Sequence, residues 1–455
     1  MFFIFIIEIN NIVKSLKNKL KYYFMIKKLI TEYFSFFVFG SIWIVFWASI
    51  NTMPFEIYFF GENIIKSINS LRLSLALIIS LILIAYFFFK LKQKKNNFQI
   101  KENYLIFFFL LLFLSYLISL VFNNERNFNL DNTYLVILSF GTIFLYFFMY
   151  NFDLKKNLQN FILINIFFLS LISLVILIPK LHDLASANFN FYQVFAPLDG
   201  NIFNQVNPRI TGTSRSVAVL NLFIFAIFLN TNKKYLKYFL FSIFILLSFI
   251  ILMMQSRGTI LCFHGSVFIL LILTNKFKIF KKFLIILTII VSNFLIFQMI
   301  TENQSENKTS NFETRFLNKT TSGRFDIWRY SINNYNYKNL MGFGPQGDRF
   351  FLNNYENKKS FGNNSSNAII YSFLSGGYLG VILILLIYFS LLNKIKNIFS
   401  LSANNNIYLS FSLLIIIFFL IRSIYENSFA LFSVDYLLMY SSILYIQNFT
   451  VKKLS

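Results

Sequence analysis

Arginine is the residue type in this chain whose placement points to chemistry, and the chemistry is anion binding. A guanidinium presents a planar fork that matches phosphate or carboxylate oxygens two at a time, and a glycine beside it lets the backbone approach a ligand closely. The arginines are Arg72, Arg126, Arg209, Arg215, Arg257, Arg315, Arg324, Arg329, Arg349 and Arg422. In Asn207-Pro208-Arg209-Ile210-Thr211-Gly212, Arg209 precedes an apolar run, at the level where such a run would meet water. Ser256-Arg257-Gly258 forms a tight turn between two apolar runs, where the Arg257 charge either serves a ligand or snorkels to the interface. The stretch Ser322-Gly323-Arg324-Phe325-Asp326-Ile327-Trp328-Arg329-Tyr330 reads as an amphipathic helix with Ser322 as N-cap. Arg324 and Trp328 share one face of it, four residues apart. An arginine in the first turn of a helix opposes the macrodipole unless an anion sits at that terminus.

The segment Gly342-Phe343-Gly344-Pro345-Gln346-Gly347-Asp348-Arg349 carries the glycine spacing of a dinucleotide loop. No strand precedes it and Pro345 obstructs the turn into a helix, so a glycine-rich loop permitting close approach, ending on Asp348 and Arg349, is the simpler account. Ser365-Ser366-Asn367 leads into an apolar run whose Gly376, Gly377 and Gly380 permit close helix packing. Asp435 lies inside the last apolar run, where a carboxylate is costly unless paired, and Arg422 is its expected partner. His182 and His264 are far apart in sequence, carboxylates do not cluster at metal spacing, and Cys262 sits alone in an apolar run as a packing residue. No metal and no cofactor is expected.

These groups must be positioned by membrane helices. Hydrophobic residues make up 57% of the chain, aromatics 20% and charged residues 13%, more apolar surface than a water-soluble fold can bury. Apolar runs fall near 33–50, 71–89, 105–122, 134–150, 161–178 and 210–230, then near 238–254, 259–274, 283–300, 368–392, 407–421 and 430–446. A span needs about 20 residues, so the reading is an all-α bundle of about 12 spans. The chain is one polytopic domain over 1–455 with a large, partly helical loop inserted at 301–367. The formal charge of +23 invites nucleic acid as a partner, but the basic residues do not gather on one soluble face. Instead, lysines fill alternate connections: Lys14 to Lys28, Lys90 to Lys101, Lys155 and Lys156, Lys233 to Lys237, Lys276 to Lys282, Lys394 and Lys396, and Lys452 and Lys453. Short lysine-rich loops stay in the cytoplasm, so both termini are placed inside, and 179–208 and 301–367 outside. On this topology no arginine is cytoplasmic. Arg72, Arg126 and Arg315 read as ordinary loop charges. The Met1–Ile7 run is too short to span, and the first full helix is expected to serve as the insertion signal.

In their order and sidedness these pieces resemble the O-antigen ligase and O-antigen polymerase superfamily over roughly residues 200–395. The pieces are Arg-x-x-Gly (Arg209 to Gly212), Ser-Arg-Gly (Ser256 to Gly258), Ser-Gly-Arg-x-x-x-Trp (Ser322 to Trp328), Gly-x-Gly (Gly342 to Gly344), and a polar-Asn pair before a glycine-containing helix. The resemblance implies a bacterial inner-membrane glycosyltransferase with a periplasmic site. Its donor would be a glycan on undecaprenyl pyrophosphate, and its acceptor a growing glycan or the lipid A-core. By resemblance Arg209 and Arg324 bind the donor pyrophosphate. Asp348 and Asn367 complete the catalytic set, while Arg215, Arg257, Trp328, Arg349, Gly342 and Gly344 are the candidate substrate contacts. Arginines would then supply the charge stabilisation that a divalent cation supplies elsewhere. Many ligases of this superfamily have His-Asn where this chain has Ser366-Asn367, and serine at its ordinary pKa is no general base. Asp348, Asp435 or another group must take that part, and the polymerase reading leads the ligase reading. A polysaccharide transporter is the alternative from another class, but it would place charges and broken helices at the midplane of two related halves.

Overall fold

The computed structural model describes residues 77–85, 87–88, 104–123, 130–151, 210–253, 256–273, 324–335, 340–354, 364–400, 406–429 and 434–454, with scattered positions from 159 to 170. Among the described residues every regular element is helical: α1 (Tyr104–Phe122), α2 (Leu130–Asn151), α3 (Ile210–Asn230), α4 (Lys234–Met253), α5 (Arg257–Leu273), α6 (Arg324–Asn333), α7 (Gly347–Phe351), α8 (Ala368–Ser400), α9 (Ile407–Arg422) and α10 (Val434–Leu454). Three helices are long and apolar enough to cross a membrane, Tyr104–Phe122, Lys234–Leu252 and Ala368–Ile398. Shorter apolar helices cover Ser214–Asn230, Gly258–Leu273 and Ile407–Arg422, so about 12 spans is more than the described residues display. The runs expected at 33–50 and 283–300, most of 161–178, and the loop 301–323 lie outside the described residues.

Packing follows from which faces are apolar. The α9 sequence is hydrophobic all round, and its buried residues, from Leu409 and Phe411 through Phe419, occupy every face. Such a helix must be enclosed. It is, by α3, α5 and α10. α4 packs on α3 and leaves Tyr235, Tyr238, Phe239 and Leu246 exposed, the outward face that lipid would cover. Asn406 caps α9 by accepting the amides of Tyr408 at 3.0 Å and Leu409 at 3.3 Å.

The α1–α8 contact carries the irregular backbone of the bundle. Gly377, at φ 61 and ψ −151, breaks α8 into two limbs. A Cβ there would stand 2.0 Å from the Leu340 carbonyl oxygen, so only glycine fits this conformation and this contact. The break is sealed by the incoming loop: the amides of Phe343 and Gly344 donate to the carbonyls of Leu374 and Ser375 at 2.7 and 2.9 Å. From the other side α1 supports the same loop, with Asn123 donating to the Gly342 carbonyl at 3.0 Å and Ser119 bonded to the Met341 carbonyl. Gly342 and Gly344 both take positive φ, and a Cβ on either would meet Gly377 or Leu120. Both glycines therefore bring the loop backbone close to α8 and α1.

Candidate active site

The N-terminal ends of α3, α5, α8 and α10 meet the C-terminal end of α9 and the start of α6, and Arg215, Asp435, Arg422, Glu426 and Arg324 collect there. Lys233, Lys234, Lys394 and Lys396 lie toward the opposite ends of α3, the start of α4, and the end of α8. Helix direction thus separates arginine ends from lysine ends.

Asp435, in the first turn of α10, is buried between two guanidiniums. Arg215 Nη1 stands 2.9 Å from its Oδ1 as a charge contact without hydrogen-bond alignment. Arg422 Nη1 is bonded to its Oδ2, which is the pairing expected of this carboxylate. Arg422 uses its other terminal nitrogen on Glu426, one helical turn on, at 2.6 Å. Glu426 in turn accepts from Arg324 Nη2 at 3.2 Å. The chain of contacts runs Arg215, Asp435, Arg422, Glu426, Arg324. From Asp435 outward the side chains become more exposed, from 3% there and 7% at Arg422 to 29% at Glu426 and 25% at Arg324, while Arg215, on the other side of Asp435, is 16% exposed. Pairing with Asp435 fixes Arg215 and Arg422, and Glu426 and Arg324 form the more exposed end.

The turn between α9 and α10 holds this gradient in place. The Tyr425 hydroxyl donates to the Gly258 carbonyl at 2.9 Å and meets the Cys262 thiol at 2.6 Å, while Arg324 lies over the Tyr425 ring at 6.0 Å. Burial raises the Tyr425 hydroxyl above its ordinary pKa, so it stays protonated as a donor. The Ser-Arg-Gly turn is joined to α3 as well: the Thr259 hydroxyl is 3.0 Å from Ser256 and 3.1 Å from Ser214.

A second set of contacts ties the Ser365–Asn367 segment to the same place. Asn367 caps α8, accepting the amides of Ile369 and Ile370 at 2.8 and 2.9 Å, and its own amide donates to the Ile424 carbonyl at 2.6 Å. The Ala368 amide donates to the Ser423 carbonyl at 2.9 Å. Trp328 Nε1 donates to the Ser365 carbonyl at 2.7 Å, fixing α6 to this segment. Asp348 is buried below it. One carboxylate oxygen accepts both the amide and the hydroxyl of Ser365, at 3.0 and 3.1 Å, and the other accepts the Arg349 amide at 2.9 Å. Burial raises the Asp348 carboxyl above the ordinary range, against the pull of the Ser365 hydrogen bonds.

The expected site residues are thus distributed unevenly. Arg324, Arg215, Trp328, Asp348 and Asn367 join one continuous bonded region, and Arg349 is exposed at its edge on α7. Gly342 and Gly344 serve the α8 break. Arg257 begins α5, but its side chain lies outside the described residues, as does the whole of Arg209. Sequence reasoning did not single out Glu426 or Tyr425. The Arg422-x-x-x-Glu426 spacing, one helical turn, was the available signal. Among the described residues no three His, Cys, Asp or Glu side chains stand together as metal ligands.

The roles of Asn367 separate under mutation. Asn367→Ala removes the α8 cap and is expected to cost about 0.5–2 kcal/mol, read as a lowered thermal midpoint in detergent. Asn367→Ser keeps a capping oxygen and should recover most of that loss. An unchanged midpoint for Asn367→Ala would remove the capping role.

No curated protein and no solved structure matches the chain. Residues 242–385 match the family model described as O-antigen ligase. The match takes in the Ser-Arg-Gly turn, α6, α7, the glycine loop and the α8 break, and it stops short of Arg422, Glu426 and Asp435. That match supports the O-antigen ligase and polymerase superfamily for residues 242–385 of this membrane protein.

Proposed function

We propose that the protein is a polymerase of surface polysaccharide, transferring a glycan from a lipid pyrophosphate to the end of a second lipid-linked chain. The family implies lipid-linked glycan substrates and a membrane setting. The observation that carries the reading is the arginine series: Arg324 is held at a part-exposed rim, backed by the buried Arg422 and by Arg215, both locked on Asp435. A pyrophosphate leaves readily once its developing charge is neutralised, and preorganised guanidiniums can perform the neutralisation that a divalent metal ion performs elsewhere. Arg209 is assigned to the same anion. Undecaprenyl pyrophosphate is the proposed carrier, as the family resemblance implies, and the inner membrane with its outer face is the proposed location, the sidedness supported by the lysine-rich opposite helix ends. Ser366 at the position where many ligases carry histidine favours chain polymerisation. The O-antigen ligase description of the family model favours the second reading, transfer to a lipid A-core.

One assay tests all of this. Purified protein in detergent, given a lipid-linked oligosaccharide in excess chelator, is expected to lengthen the lipid-linked chain without lipid A-core. Product appearing only when lipid A-core is added would establish the ligase reading. Loss of turnover on chelation with rescue by magnesium would remove the arginine mechanism, and no turnover under any condition would favour transport.

A further inference from the structure

We propose that Glu426 is the proton acceptor for the incoming hydroxyl, released for that task when the donor anion takes over Arg324; the assignment rests on the transferase reading above. Four carboxylates lie near the described arginines. Asp435 is 3% exposed and locked between Arg215 and Arg422. Asp348 is 2% exposed, with its oxygens holding Ser365 and the Arg349 amide. Asp326 is exposed, but it lies two residues from Arg324 on α6 and so projects from a different face of that helix. Glu426 alone combines part exposure with direct contact to the rim arginine.

Its surroundings give it both a fixed origin and a movable head. The Glu426 amide donates to the Arg422 carbonyl at 2.8 Å, and the neighbouring Tyr425 and Ile424 are tied to Gly258 and Asn367, so the backbone is held from three sides. The side chain spans two guanidiniums, at 2.6 Å in the buried direction and 3.2 Å in the exposed direction. The outer contact is the longer and wetter one, and an exposed ion pair is worth only about 0–1 kcal/mol. A pyrophosphate carries more charge than a carboxylate and offers several oxygens to the same fork, so it displaces Glu426 from Arg324 while Arg422 retains the other oxygen. The freed oxygen stays next to the bound donor, in position to take the proton of an acceptor hydroxyl that approaches the anomeric carbon.

The step balances without another reactant. The acceptor O–H proton passes to the freed Glu426 oxygen, and the acceptor oxygen forms the new bond to the anomeric carbon. The bond from that carbon to the pyrophosphate oxygen breaks, and its electron pair stays on the departing anion beside Arg324. Glu426 gives the proton to water as its contact with Arg324 re-forms.

The test uses the full-length protein in detergent, with turnover of lipid-linked oligosaccharide and binding of farnesyl pyrophosphate measured side by side. Glu426→Gln is expected to bind farnesyl pyrophosphate as tightly as the wild type or more tightly, because a competitor for Arg324 is weakened, while kcat falls about 100-fold or more. Glu426→Asp, which keeps a carboxylate, should retain turnover well above that of Glu426→Gln. A Glu426→Gln variant with more than a tenth of wild-type turnover overturns the proposal, as does one that loses binding and turnover together and so marks a structural prop. Wild-type protein that binds the analogue yet turns over no donor would instead overturn the transferase reading, and the base with it.

Discussion

Asp435→Ala is expected to leave little folded protein in the membrane. Two guanidiniums converge on this carboxylate, and its removal sets the buried Arg422 against the part-exposed Arg215, with Glu426 the remaining carboxylate partner. Breaking a buried ion pair from one side costs about 3–5 kcal/mol, because the remaining charge stays desolvated. A typical domain has about 5–15 kcal/mol of net stability, so the loss is a large part of the whole. Protein level in washed membranes and the thermal midpoint in detergent are the measurements. The combination of Arg215→Met, Arg422→Met and Asp435→Leu should recover the level, since apolar replacement of a buried ionic group is often neutral or stabilising, but it should not recover activity. Wild-type level and midpoint in Asp435→Ala would mean that water reaches these arginines.

Arg324→Lys is expected to abolish most turnover at normal protein level. The lysine keeps the charge and loses the planar fork, so one charge-assisted hydrogen bond to the donor anion goes. At about 1.5–3 kcal/mol for such a bond, turnover falls by about 10- to 150-fold. Stability should hardly change, because the side chain is 25% exposed and its pair with Glu426 is part-exposed too. Arg315→Lys, in the segment outside the described residues, is the control and should be tolerated. Tolerance of both substitutions would reduce these arginines to solvated charges, and sensitivity of Arg315 alone would move the anion site.

The parts of this architecture visible in the sequence were those governed by a local rule. A carboxylate inside an apolar run demands a partner, and Asp435 has Arg422. Residues four apart on a helix share a face, and Arg324 and Trp328 both turn toward the segments beside α6. The missing parts depend on tertiary placement. Glu426 looks like an ordinary loop charge until the turn after α9 folds over α5 and brings it to Arg324. Asp348 reads as an accessible acid at the end of a glycine loop, and its burial under Ser365 follows only from the docking of α7 on α8. Gly376 and Gly377 signal close helix packing in sequence, whereas Gly377 in fact interrupts its helix, which composition alone does not distinguish.

That interruption constrains how the protein is made. Carbonyl groups freed by a helix break cost several kcal/mol each in hydrocarbon, and those of Leu374 and Ser375 are satisfied by Phe343 and Gly344, some thirty residues earlier in the chain. In chain order the sealing loop precedes α8, so the amides that the break requires are already part of the chain when the broken helix is made. A broken α8 is therefore complete only against the α1–loop surface and not as an independent helix in lipid, so the helix and its loop must reach their final packing together.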